Sequence, residues 1–240
     1  MENWSELWDD LEPLLRGVRE TGETFSAKDR PFYIERHGRG EAVYFDVSYS
    51  AVREADGSVG GVLCVVNETT QRVQFERRQA FLLELGQALP SVSEPDQVEA
   101  LVLRRLAEEL NASQVFFAEN LDAEAALNLR QSVVPHAPCG QPLRPYSAEQ
   151  NAALLAGRSL IQEGGDGAPA AMHVPVVRHG ALEAVLVIEH DSHHLFSDFE
   201  THLAEETAKL AWVWITHARA EVALLSLIHI SEPTRRYAIS

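Results

Sequence analysis

Apolar residues recur at helical spacing from Trp4 to Glu20, where Trp4, Leu7, Trp8, Leu11, Leu15 and Val18 share one stripe. Thr21-Gly22-Glu23 ends that helix. The period then shortens. Thr24–Ser26 with its flank, Pro31–Arg36 and Val43–Val52 read as strands. In Tyr44-Phe45-Asp46-Val47-Ser48-Tyr49 large and small groups alternate, as a sheet with one face on a core requires. Asp56-Gly57 predicts a hairpin, because a primed turn needs the positive φ that glycine adopts without steric cost. The apolar run Val62–Val66, inside a strand over Val59–Asn67, predicts a buried strand with Cys64 as a plain core residue. Thr69 and Thr70 follow with hydroxyls suited to capping the next helix.

Thr70–Leu89 reads as one helix, with Phe75, Arg78, Leu82, Leu85 and Leu89 in alternating steps of three and four. That spacing fits a two-stranded coiled-coil seam, interrupted by Arg78, and equally a helix packed on its own domain. After the break at Ser91–Asp96, Ser93 is the expected N-cap and Pro95 sits early in a helix whose Val98, Val102, Leu106 and Leu110 line one face. Strands are expected at Ser113–Glu119, Asn128–Val134, Ser159–Gln162, Ala171–Val177 and Leu182–Glu189, with a proline-rich loop over Pro135–Pro145. Ser147-Ala148-Glu149-Gln150 is a capping box opening a short helix that Gly157 closes, and Arg178-His179-Gly180 is a hairpin turn. Ser197-Asp198-Phe199-Glu200 caps a last helix carrying Leu203, Leu210, Val213, Trp214 and His217. The predicted class is α+β.

The order of turn, strand, Glu68-Thr69-Thr70 and outgoing helix resembles the C-terminal half of a PAS domain. The resemblance implies that the first strands of that domain lie upstream of Met1, leaving an unpaired sheet edge. The second half is similar to a GAF domain. It has an opening helix, then the hairpin Val-Pro-Val-x-x-x-Gly-x-Leu-x-x-Val-Leu-x-Ile over Val174–Ile188, then Phe196-Ser197-Asp198-Phe199-Glu200 at the start of the closing helix. The implied layout is a partial PAS domain at 1–74, a signalling helix at 75–90, a GAF domain at 91–220, and the end of an exit helix at 221–240. Within the last stretch, Leu225–Arg235 and Ile239–Ser240 read as the translation of a transposase-based sequencing adapter. Residues 225–240 are therefore set aside, and the natural chain is expected to continue past Leu224.

A formal charge of −16 repels phosphate backbones, so no nucleic-acid partner is expected. No apolar run approaches the roughly 20 residues that cross a bilayer, so no membrane association is expected in this segment. Cys64 and Cys139 form no disulfide framework and fit a reducing, cytoplasmic setting.

His190-Asp191-Ser192-His193-His194 is the densest group of metal-ligand types, yet it lacks zinc-site spacing and reads as a solvated loop. No metal site is assigned. His202 and His217 lack the flanking pattern of a kinase phosphoacceptor, although His202-Leu203-Ala204-Glu205 echoes it weakly. The Asn-Lys signature of cyclic-nucleotide GAF domains is absent, and Cys139 precedes Gly140 rather than the histidine usual in bilin-binding members. A single cysteine in the domain completes no thiol cycle of the methionine sulfoxide reductase kind. Gly164-Gly165-Asp166-Gly167 has no phosphate-binding lysine after it. Catalytic residues are thus none, cofactor-binding residues unknown, and no cofactor is identifiable. The resemblances imply a sensory, non-enzymatic input region of a bacterial histidine kinase, or of a diguanylate cyclase or serine phosphatase. A GAF-fold enzyme with a catalytic pocket is the alternative of another class. The expected partners are an unknown small molecule or none, and a second copy of the chain through helices 70–89 and 198–224.

Overall fold

The computed structural model describes residues 7–36, 39–120, 129–131, 146–165, 168–191 and 193–231. They fall into two units, Met1–Ala80 and Phe81–Ser240. Each is an antiparallel sheet flanked by helix, so the fold is α+β.

The first unit has helix α1 (Trp8–Thr21) on a three-stranded sheet of order β1-β2-β3 (Phe25–Arg36, Arg39–Arg53, Val59–Glu68). Leu7, Leu11 and Val18 of the helix meet Phe32, Val43, Val47 and Tyr49 of the sheet in one apolar cluster. The alternation through Val43, Val47 and Tyr49 therefore faces the core as its pattern predicts. Trp8 does not, being 54% exposed, and Trp4 lies outside the described residues. The chain leaves α1 through Gly22, whose left-handed φ of 72° lets its N–H donate to the Val18 carbonyl at 2.8 Å.

Three expectations change in this unit. Phe25 and Ser26 belong to the same strand as Pro31–Arg36, continued across an irregularity between Ala27 and Arg30, and Thr24 lies just before it. There Asp29 takes a φ of 49° and its N–H donates to Asp46 Oδ1 at 2.9 Å, a side-chain tie that no local pattern announces. At Asp56-Gly57 only the glycine has positive φ, so the turn is not a primed one. Gly57 N–H donates to Glu54 O, Asp56 accepts from Ser58, and the register shifts beside Arg53, the pattern of a turn completed by a bulge. Finally, Val62–Val66 is not a buried strand. Among the described residues β3 is hydrogen-bonded to β2 alone, and α1 covers it near Val62, so Leu63, Cys64, Val65 and Val66 are exposed.

Helix α2 (Thr70–Ala88) begins in this unit. Thr69 and Thr70 are buried but do not cap it with their hydroxyls. Thr69 Oγ1 donates to Asp29 Oδ1 at 2.7 Å, and Thr70 Oγ1 accepts from Tyr44 N at 2.9 Å, so both hydroxyls hold the helix start to the sheet. Arg72 pairs with the same Asp29 carboxylate; its hydrogen bond, then that of Thr69, holds the carboxyl below the usual range.

The second unit is a five-stranded sheet of order β5-β4-β8-β7-β6 (Leu129–Gln131, Gln114–Asn120, Ala181–His190, Ala170–Arg178, Leu160–Gln162). Helices α3 (Pro95–Leu110) and α5 (Asp198–Ser231) cover one face, and the short α4 (Ala148–Leu155) lies on the other. Val98, Val102, Leu106 and Leu110 of α3 are all buried, as their four-residue spacing predicts. Leu85 and Leu89 join this same core, whereas Phe75 is 54% exposed, so the predicted seam is in part consumed by the domain. Glu94, in extended conformation, is the N-cap of α3 in place of Ser93, and it caps without a side-chain bond. Pro95 at the first helical position, with φ fixed in the helical range, marks the boundary instead.

On α5 the buried face is Leu203, Ala204, Ala208, Ala211, Trp212, Ile215 and Ala218. Val213 and His217 point outward, because the helix approaches the sheet and α3 on its alanine side. Trp212 Nε1–H donates to Glu183 Oε2 at 2.6 Å, and Arg219 makes a two-pronged contact to Glu119 at 2.7 and 3.1 Å. The capping boxes at Ser147 and Ser197 are both formed, and His179 and Gly180 turn the last hairpin with φ values of 52° and 78°. The proline-rich loop at 135–145 lies outside the described residues.

Candidate functional site

Strand alternation gives the second sheet two unlike faces. Val115, Phe117, Met172, Val174, Ala184, Leu186 and Ile188 point toward α3 and α5. Their neighbours Phe116, Ala118, Val185 and Val187 point the other way, where, among the described residues, Leu154 of α4 and Leu182 complete an apolar cluster with Tyr146, Leu160 and Val177 packed against it. His173 of β7 belongs to this second face, directly across from Val187 in the register. It is 8% exposed, and its Nδ1 lies 2.8 Å from the hydroxyl of Tyr146, the rings meeting edge to face at 88°.

Burial sets the charge state of the pair. It pulls the His173 imidazole down to about 4 and pushes the Tyr146 phenol well above its ordinary value. Both groups are therefore neutral near pH 7. The Tyr146 hydroxyl and His173 Nδ1 share one hydrogen bond between neutral groups. The result is an apolar sheet face that carries a neutral polar pair. Elsewhere, a concavity of about 160 Å³ between α2 and α3 is walled by Glu84, Arg105, Glu108 and Glu109. Another of about 310 Å³ lies open on the first sheet beside Ser26, Asp46 and Val65.

The histidine-rich segment is not the solvated loop that its spacing suggests. His190 ends β8 on the helix-facing side and is 8% exposed, with its ring stacked on His194 at 3.7 Å between centroids. Phe196, buried, packs edge-on against both rings. His194 Nε2 is 2.9 Å from Glu200 Oε1 in the first turn of α5, and the ligand atoms of His190, His194 and Glu200 lie within 4.8 Å of one another. Asp191 and His193 are exposed, and Ser192 lies outside the described residues. His202 is exposed, its Nδ1 2.6 Å from the Asp198 carbonyl, and His217 is exposed 3.9 Å from Glu221. Cys139, Gly140, Asp166 and Gly167 lie outside the described residues.

Sequence reasoning missed Tyr146 and His173. The available signal was an imidazole inside the apolar alternation Met172-His173-Val174, which marks a buried histidine in need of a partner. It missed Glu200 as a third group because that residue already served as a cap.

No protein-family model matches the chain, and no curated protein does. Among solved structures, the chain is similar to the GAF domain of a protein assigned as a sensor histidine kinase from Pseudomonas syringae pv. tomato. The identity is 16%, over 65% of this chain and 96% of that one, with a TM-score of 0.48. It is also similar to the GAF domain of a phosphoenolpyruvate-protein phosphotransferase from Coxiella burnetii (19%, 61% and 96%, 0.48) and to the PixJ GAF domain of Thermosynechococcus elongatus (16%, 56% and 93%, 0.41).

Proposed function

We propose that residues 91–220 act as a GAF-type sensory domain that takes a small, uncharged, largely apolar ligand on the sheet face opposite α3 and α5. The observation that carries this reading is the neutral His173–Tyr146 pair closing an apolar cluster on that face. The hairpin Val174–Ile188 and the capped start of α5 support the family. In this reading the protein catalyses nothing with this segment. Ligand binding biases the sheet, and α5 hands the bias onward, because a ligand shifts an equilibrium only through its differential affinity for two states. The first unit serves as the later half of a PAS domain, with α2 as the signalling helix, and the whole as the input region of a bacterial histidine kinase. Two copies associate through the exposed apolar positions of α2 and α5, among them Phe75, Leu83, Val222 and Leu224.

Native mass spectrometry of the full chain, joined to a thermal-shift screen of uncharged small molecules, tests the ligand claim. A bound species or a stabilising hit is expected. A chain that carries nothing and responds to nothing removes the sensory reading. For the kinase, a His-Glu/Asp-Leu-Arg motif in the gene beyond the codon for Leu224 supports it, and a stop codon there removes it.

A further inference from the structure

His190, His194 and Glu200 come from three places: the last residue of a central strand, the loop after it and the first turn of the long helix. Their donors are two imidazoles and a carboxylate. We propose that they bind one divalent transition-metal ion of the zinc class, which fastens the end of β8 to the start of α5.

Nitrogen donors disfavour magnesium and calcium, which take oxygen shells, whereas two histidines and one carboxylate suit zinc and leave a fourth position for water. The spacing is compatible. A tetrahedral ion with bonds of 2.0–2.1 Å holds its ligand atoms about 3.3 Å apart. The His194–Glu200 pair already stands at 2.9 Å. The widest separation, at most 4.8 Å, needs a closure of up to about 1.5 Å, and the His194 ring, whose side chain is 27% exposed, must also turn out of its stack on His190 so that both in-plane lone pairs meet at one ion.

Two further observations point to a ligand. His190 Nε2 is sealed from solvent and has no hydrogen-bond partner among the described residues, an uncompensated cost that a metal bond would remove. The Glu200 carboxylate is also aimed before any ion arrives. Its Oε2 accepts from Ser197 N at 2.7 Å and Ser197 Oγ at 2.8 Å, leaving Oε1 directed at His194. Such outer bonds orient metal ligands. Phe196, 3% exposed, walls off one side of both rings from water.

The test uses the full chain, stripped with a chelator and dialysed. Titration with Co²⁺ followed by visible absorption, and with Zn²⁺ by calorimetry, is expected to show one equivalent per chain and displacement of Co²⁺ by Zn²⁺. Glu200→Gln keeps a residue able to complete the capping box while removing the anionic ligand. It and His194→Asn are each expected to weaken binding by about tenfold or more, and His193→Asn to leave it unchanged. Zn²⁺ is expected to raise the Tm of the parent chain and of His193→Asn, but of neither ligand variant. The proposal is overturned by a parent chain that takes up neither ion at one equivalent. It is overturned equally when Glu200→Gln and His194→Asn bind as tightly as the parent, or when His193→Asn alone abolishes uptake.

Discussion

Replacing His173 with glutamine removes a buried imidazole whose protonation the fold resists. In the unfolded chain that imidazole takes a proton near 6.5, while in the folded chain burial delays protonation until about 4. The unfolded state therefore binds more protons throughout that window. The stability associated with neutral His173 is complete above pH 6.5 and falls as the pH drops toward 4. At pH 5 the loss relative to pH 8 comes to about 2 kcal/mol from this residue alone. Tyr146, the hydroxyl facing it, stays neutral across the whole range because burial moves its titration upward. His190 also protonates less readily than usual, through burial and then the charge of His194, but it does so in both proteins and cancels in the difference. Urea unfolding followed by tryptophan fluorescence, with Trp212 reporting from the core, gives the stability of each protein at pH 8, 6 and 5. The parent is expected to lose about 2 kcal/mol more than His173→Gln between pH 8 and 5. Parallel losses in the two proteins would refute the assignment of a sealed, neutral imidazole at this position.

Leu106→Ala empties a fully buried site between α3 and the sheet and is expected to cost about 2–5 kcal/mol in the same assay. Ser147→Ala breaks the reciprocal cap of α4 and is expected to cost about 1 kcal/mol, read as faster amide exchange across Ala148–Leu155. Leu224→Asp, at a position 60% exposed, leaves the fold intact and lowers the dimer fraction in sedimentation if α5 pairs with a second copy; an unchanged profile removes that contact.

Features fixed by neighbouring residues were readable in the sequence. The two capping boxes need only a serine and a residue three positions on, and the four-residue stripe of α3 needs only its own helix. Features fixed by distant partners were not. Asp29 holds an unusual backbone angle because Asp46 and Thr69, far along the chain, bind it. Cys64 sits in a run that looks like core, and its exposure follows from β3 having a neighbour on one side only, which is a fact of topology. At the candidate sites the same rule holds. Tyr146 and His173 meet across an intervening helix and strand, and His190 joins His194 because a strand ends there, not because of their spacing.

The length of α5 has a mechanical consequence. Its last core residue before Leu224 is Ala218, and the helix continues through Leu224 with its side chains from Ala220 to Leu224 exposed. At 1.5 Å per residue the stretch from Ala218 to Leu224 measures about 9 Å. A rigid rod of that length works as a pointer: a tilt of roughly 10° at its root swings the tip by about 1.6 Å, on the rise-per-residue geometry just given. The root is clamped by Trp212 to β8 and by Arg219 to β4, the two strands whose second face carries the His173 side of the sheet. A tilt absorbed by small shifts within the packed domain is thus carried to Leu224 as a displacement of about a bond length.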